Sequence, residues 1–188
     1  MGQHKKAVWV FGDYRNYFQN RVTLQLLAKG KELAAELDAD LCAVLIGNIL
    51  GEWAWEYSCH GADRVYIMEG PELENYNIER YSWIVDRLAR EYQPEILLIG
   101  ATDFGRELAP AVAKRLGAGL SADCVDLRIN EEGLMVQTAP FYGGNLLAEI
   151  VAPDARPQMA TVRPGVFREL PHDDTRDNLR FAESVPGA

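Results

Sequence analysis

The stretch Ile96–Leu127, ILLIGATDFGRELAPAVAKRLGAGLSADCVDL, decides the fold. An apolar run, Ile96 to Ile99, leads into a loop carrying Thr102 and Asp103. A segment follows with Leu108, Ala109, Val112, Ala113 and Leu116 at helical spacing, then a Gly-rich turn and a second apolar-leaning run. That order predicts strand, loop, helix, turn, strand. In an open parallel sheet the loop after such a strand is where ligands or partners meet the fold. Pro110 falls inside the predicted helix. A proline deep in a helix costs about 3 kcal/mol or more, which burial of Leu108, Val112 and Leu116 offsets at roughly 1.5–3 kcal/mol each; a start near Arg106, with Pro110 close to the first turn, is the other reading.

Upstream, the same alternation recurs. Ala7–Phe11 reads as a first strand, the segment DYRNYFQNR as loop, and a stripe from Arg21 through Val22, Leu26, Leu33 and Leu37 as a helix. Gly30 costs that helix about 1 kcal/mol relative to Ala. Leu41–Ile46 is a second strand, and Leu50–His60 a second helix with Trp53 and Tyr57 one turn apart and able to stack. Arg64–Met68 is a third strand. Tyr81, Ile84, Val85, Leu88, Ala89 and Tyr92 give the cleanest helical stripe, ended by Pro94. Downstream of the deciding stretch the chain is strand-rich. Ala122–Ile129 and Leu134–Thr138 flank the turn Asn130–Gly133 as an antiparallel hairpin, and Leu146–Val151 and Gln158–Val162 are two more short strands. The expected fold class is α/β: a Rossmann-like, mainly parallel sheet flanked by helices, with an antiparallel strand-rich C-terminal part. Residues 1–167 form the domain, and 168–188 read as a polar tail or linker.

Composition narrows function by exclusion. With 188 residues, 48% apolar and 25% charged, the chain suits one soluble globular domain. A net charge of -9, with no basic run longer than Lys5-Lys6, argues against nucleic-acid binding. No apolar run approaches the ~20 residues of a membrane span, and the N-terminus MGQHKKAVWVF lacks a leader pattern. The three cysteines, Cys42, Cys59 and Cys124, are odd in number and widely spaced, as expected of cytoplasmic thiols.

The chemistry-bearing residues are sparse. Gly117-x-Gly119-x-x-Ala122 has the outline of a dinucleotide-binding loop, but it follows a helix and precedes a strand, the reverse of the required context. His4, His60 and His172 are scattered, and the adjacent pair Cys59-His60 has no chelating spacing, so no metal site is expected. Ser58, Ser82, Ser121 and Ser184 lack a nucleophile-elbow context, which leaves an acyl- or phosphoryl-transfer enzyme without a nucleophile. Thr102 or Asp103 can cap the following helix, with Arg106 beside them. Tyr142-Gly143-Gly144-Asn145 is a Gly-rich turn, and Arg156 and Arg163 flank a strand.

Taken together, AVWVFGDYRN, LLAKGKELAAELDADLCAVLIG, HGADRVYIMEGPELENYN, PEILLIGATDFGRELAPAVAKRLGAGLSADCVDLRI and YGGNLLAEIVAPDARPQMATVRPGVF resemble, in this order, the N-terminal domain of electron transfer flavoprotein alpha subunits. The form RPQMATVRPGVF is similar to the bacterial and anaerobe-type branch. The resemblance implies a heterodimer in which this domain packs against a beta subunit. It implies that FAD is carried by a C-terminal alpha domain, and that electrons pass from flavin dehydrogenases to an acceptor. The motifs holding that FAD are not among these residues, so this chain alone is expected to bind no stable flavin and to be redox-inactive. No catalytic residue is implied. The candidates for meeting the partner subunit or its nucleotide are Thr102, Asp103, Arg106, Tyr142, Gly143, Gly144, Asn145 and Arg163. Ala139-Pro140 stands where members of that branch often carry Arg-Pro, so electron bifurcation is not assigned. The alternative from another class is a stand-alone adenine-nucleotide-binding module, motivated by the parallel sheet and the loop after Ile99.

Overall fold

The computed structural model describes residues 5–176. Its strands are β1 (Ala7–Phe11), β2 (Asp40–Gly47), β3 (Arg64–Glu69), β4 (Ile96–Gly100), β5 (Leu120–Cys124), β6 (Asp126–Ile129), β7 (Met135–Phe141), β8 (Leu146–Ile150) and β9 (Gln158–Val162). Four α-helices lie between them: α1 (Tyr17–Glu36), α2 (Gly51–Cys59), α3 (Ile78–Tyr92) and α4 (Asp103–Leu116). Six strands form one sheet in the order β3-β2-β1-β4-β9-β5, every pairing parallel. The other three form an antiparallel sheet, β6-β7-β8. The α/β expectation with an antiparallel annex therefore holds.

Alternation along β1 explains why the large sheet needs helices on both faces. Val8 and Val10 pack with Leu26, Leu27 and Leu33 of α1. Trp9 and Phe11 pack with Val85 and Leu88 of α3 and Leu108 and Val112 of α4. Buried on both sides, the central strands read as continuous apolar runs. The seat of α1 depends on Gly30: a Cβ there would lie 2.8 Å from Leu41 Cδ1 and 3.2 Å from Val10 Cγ2. The helix-propensity cost of this glycine accompanies a close approach of helix to sheet.

Several boundaries differ from the sequence expectation. Helix α1 begins at Tyr17, inside the presumed loop, because the Asn16 side chain accepts the Gln19 N–H and caps it. Helix α4 begins at Asp103, directly after its Thr102 cap, so of the two readings of Pro110 the interior one holds. The proline faces solvent while Leu108 and Val112 are fully buried on the opposite face. Trp53 stacks on Tyr14, with ring centroids 5.4 Å apart, while Tyr57 is fully buried. The run 122–129 is not one strand. It breaks after Cys124, with β5 at the edge of the parallel sheet and β6 in the antiparallel one. Strand β9 leaves the strand-rich annex and inserts between β4 and β5.

The stretch after Phe167 is docked over its described part. Arg176 donates to the carbonyls of Ser58 and Gly61 at 3.1 and 3.3 Å. His4, Ser184 and tail residues 177–188 lie outside the described residues. Among the described residues no helix is long and apolar enough to cross a membrane.

Candidate functional site

Strands β1 and β4 are neighbours whose chains depart in opposite directions across the sheet, so the crevice beyond their C-terminal ends is the switch point. One lip is the loop Gly12–Arg15, the other Ala101–Asp103. Asp13 is held by its backbone N–H, which donates to Thr23 Oγ1 at 3.0 Å. Its carboxylate is buried. Oδ1 accepts from Arg15 Nε at 2.8 Å, while Oδ2 has no hydrogen-bond partner. The Arg15 guanidinium carbon lies 3.3 Å from the centroid of Phe104 and 5.2 Å from that of Tyr76. Tyr76 in turn meets Phe104 edge-on at 4.5 Å and Tyr81 at 5.1 Å. The Tyr81 hydroxyl reaches the carbonyl of Leu73 at 2.8 Å. Tyr14 crosses above Gly47, where any Cβ would run into its phenol.

Burial pushes the Asp13 carboxyl above the ordinary range, and Arg15 pulls it part of the way back. Burial also raises the phenols of Tyr76 and Tyr81 to about 12. The arrangement is an aromatic floor stacked on a guanidinium, with a carboxylate beneath. Its phenols are held far from neutral pH, which does not suit them to general acid–base work.

Thr102 is the N-cap of α4: its Oγ1 accepts the Gly105 N–H at 3.1 Å, and it is buried. Asp103 is exposed in the first turn, where a carboxylate suits the helix dipole. Arg106 donates through Nε to the Ala101 carbonyl at 3.1 Å and places Nη2 3.7 Å from Asp123 Oδ1. Arg163 grips the other oxygen of the same carboxylate, with Nη2 at 2.6 Å and Nε at 3.2 Å. That pairing raises the already high Arg163 pKa. Asp123 reaches this position because β5 carries a register shift between Ser121 and Cys124 and Asp123 adopts φ 56°. A bulge of this kind re-aims one side chain at a sheet edge. The structure thus brings Arg106 and Arg163 onto one carboxylate, leaving one positive charge in excess among the three.

Tyr142, Gly143, Gly144 and Asn145 belong to another element, the turn between β7 and β8. Positive φ at Tyr142, Gly143 and Gly144 (49°, 68° and 93°) gives the glycines their purpose. Tyr142 is 81% exposed, and beside it Leu146 and Leu147 are 58% and 65% exposed. Phe141 and Val151 add to the same apolar edge. Two consecutive exposed leucines on a strand mean that neither face of β8 is covered there.

Sequence reasoning passed over Asp13, Arg15, Asp123, Leu146 and Leu147. The Asp13-x-Arg15 pair directly after the first strand was the available signal for the crevice. Asp123 lay inside a presumed regular strand, and nothing in its spacing announced a bulge. The two leucines carried the pattern of a core strand.

Comparison with known proteins agrees with this architecture. The model of the electron transfer flavoprotein domain matches residues 8–179. The chain is 46% identical over 172 residues to the electron transfer flavoprotein subunit alpha of Thermoanaerobacterium thermosaccharolyticum, covering 92% of this chain and 52% of that protein. It is 46% identical over 170 residues to the corresponding subunit of Clostridium acetobutylicum, covering 90% and 51%. It is 38% identical over 162 residues to the lactate dehydrogenase (NAD(+),ferredoxin) subunit LctC of Acetobacterium woodii, covering 86% and 39%. The chain spans about half the length of the two alpha subunits. With a family model over nearly all the described residues and this level of identity, the chain belongs to the electron transfer flavoprotein domain family and is similar to its alpha subunits.

Proposed function

We propose that this chain is the docking and framing domain of an electron transfer flavoprotein alpha subunit. It packs against a beta subunit in a cytoplasmic heterodimer that carries electrons from flavin dehydrogenases to an acceptor. The observation that carries this reading is the apolar edge of the β7–β8 hairpin, where Phe141, Tyr142, Leu146, Leu147 and Val151 all stand exposed. Contiguous exposed apolar residues mark interaction surfaces, and an uncovered edge strand invites a partner. The edge carrying Thr102, Asp103, Arg106 and Arg163 faces the partner's nucleotide or the partner itself. FAD belongs to the intact heterodimer, and this chain by itself binds none and is redox-inactive, because chemistry of this class resides on the cofactor.

The stand-alone adenine-nucleotide module is the weaker reading. No phosphate-binding fingerprint follows the first strand, and Asp103 is an exposed carboxylate at the start of α4, where an anion would sit, so titration with AMP, ATP or FAD is expected to release no heat. The assembly reading is tested by mixing the purified chain with a cognate beta subunit on a size-exclusion column. Co-elution of a one-to-one complex from two colourless or beta-flavinylated components is the expected result. Separate elution, or a purified chain that is itself stoichiometrically yellow, contradicts it.

A further inference from the structure

The segment after Phe167 turns back over the C-terminal end of α2 and is fixed there by its own backbone and side chains. The Asp173 N–H donates to the Cys59 carbonyl at 3.0 Å. Arg176 donates to the Ser58 carbonyl at 3.1 Å and to Asp63 Oδ1 at 3.0 Å. Between these anchors His172 is seated with its ring 5.0 Å from Trp55 and 5.2 Å from His60. The docking brings together three side chains far apart in sequence. Cys59 Sγ, a ring nitrogen of His172 and a carboxylate oxygen of Asp174 all lie within 4.8 Å of one another. None of these residues belongs to the crevice or the hairpin, so the inference stands apart from the proposed function.

We propose that Cys59, His172 and Asp174 form a zinc site that fastens the segment after Phe167 to the end of α2. Thiolate, imidazole and carboxylate are the three donor types zinc accepts, and three protein ligands leave a fourth position for water. The thiolate and the carboxylate together balance the charge of the dication, and the imidazole binds neutral. Bonds of about 2.0–2.3 Å put tetrahedral donors roughly 3.2–3.8 Å apart, so closing the set takes a movement of about an ångström or less per group. The groups free to move are the surface ones, with His172 at 36% and Asp174 at 81% side-chain exposure. His172 Nδ1 and Asp174 Oδ1 are paired at 2.9 Å. Binding exchanges that pair for two coordinate bonds, and the Cys59 thiol proton leaves to solvent. His60 is not among the donors that lie within 4.8 Å of one another. Cys42 and Cys124 do not compete: both lie on sheet strands, and burial raises their thiols to about 12 and about 11.

The site departs from the sequence expectation of no metal. That expectation rested on the spacing of the adjacent pair Cys59-His60. The partners of Cys59 come from the segment that read as tail.

The test is titration of the full, metal-free chain with Co²⁺ at neutral pH, followed by displacement with Zn²⁺. One equivalent is expected to produce a near-ultraviolet thiolate-to-cobalt charge-transfer band with visible tetrahedral transitions, and Zn²⁺ abolishes both. Cys59→Ser removes the charge-transfer band. His172→Asn and Asp174→Asn, surface changes that leave the fold intact, each weaken binding by at least about tenfold. No charge-transfer band at saturating Co²⁺ overturns the proposal. So does a band whose affinity is unchanged in both His172→Asn and Asp174→Asn.

Discussion

Arg15 holds its place through two contacts of different kinds. Its Nε pairs with Asp13 at 2.8 Å, and its guanidinium carbon lies over the Phe104 ring, 3.3 Å from the centroid. Removing it leaves a buried carboxylate without its cation. Arg15→Ala is therefore expected to cost about 1–3 kcal/mol, read as a lower urea midpoint at unchanged m-value. Arg15→Lys is expected to recover only part of the loss, because an ammonium does not stack as a planar guanidinium does. Asp63 offers a pH test. Burial alone would raise its carboxyl, but Lys31, the Leu41 N–H and Arg176 outweigh burial and hold it below the ordinary range. A carboxyl whose folded pKa is depressed stabilises the fold above its unfolded value of about 3.9 and loses that contribution as pH falls through the folded value. Wild type should thus lose stability more steeply than Asp63→Asn as pH falls below about 4, as measured by thermal unfolding across an acid series. Equal slopes would mean that the carboxylate adds nothing. At this scale the sequence was least legible. The cap at Thr102 could be read from residue type and position, whereas the pairing of Arg15 with Asp13 and Phe104 needs the loop's path.

Helix α4 ties the candidate site to the sheet, and its first turn explains how. A Cβ on Gly105 would collide with the Gly100 carbonyl oxygen at the end of β4. The helix can start directly at Asp103 only with glycine there. Gly105→Ala is expected to destabilise by roughly 2–3 kcal/mol or more, visible as a fall in Tm of roughly 4–12 °C, taking roughly 2–4 °C per kcal/mol for a domain of this size. An unchanged Tm would show that the turn relaxes freely. The β7–β8 hairpin behaves in the opposite way. Leu146 and Leu147 are more than half exposed, so Leu146→Ser with Leu147→Ser should leave Tm within the change of about 0.5 kcal/mol typical of surface sites. A large fall would place these leucines in the core. Elements were largely legible because 3.6-residue and alternating patterns survive in the sequence. Boundaries were not, for local reasons. Asn16 caps α1 before its apolar stripe begins, the bulge at Asp123 ends β5, and the buried flank of α4 outweighs Pro110.

For the whole molecule, topology decides which loops share an edge. Because β9 inserts between β4 and β5, Arg163 at its end comes beside Arg106 of α4, and both meet Asp123. The parallel sheet was legible from the alternation of strand and helix. The insertion was not, because Gln158–Val162 follows two antiparallel strands in the chain and nothing local marks its return. The family was legible from motif order and spacing. On the proposed function, this domain presents two surfaces to its partner: a charged edge beyond β4 and β9, and an apolar hairpin at the annex. The most direct measurement is calorimetric titration of a cognate beta subunit into the wild-type chain and into the Leu146→Ser, Leu147→Ser variant. The account predicts saturable one-to-one binding by the wild type, weakened at least about tenfold in the variant, since losing about 1.4 kcal/mol of buried apolar contact is a factor of ten. Absence of binding by the wild type, or equal affinity of the two chains, would contradict it.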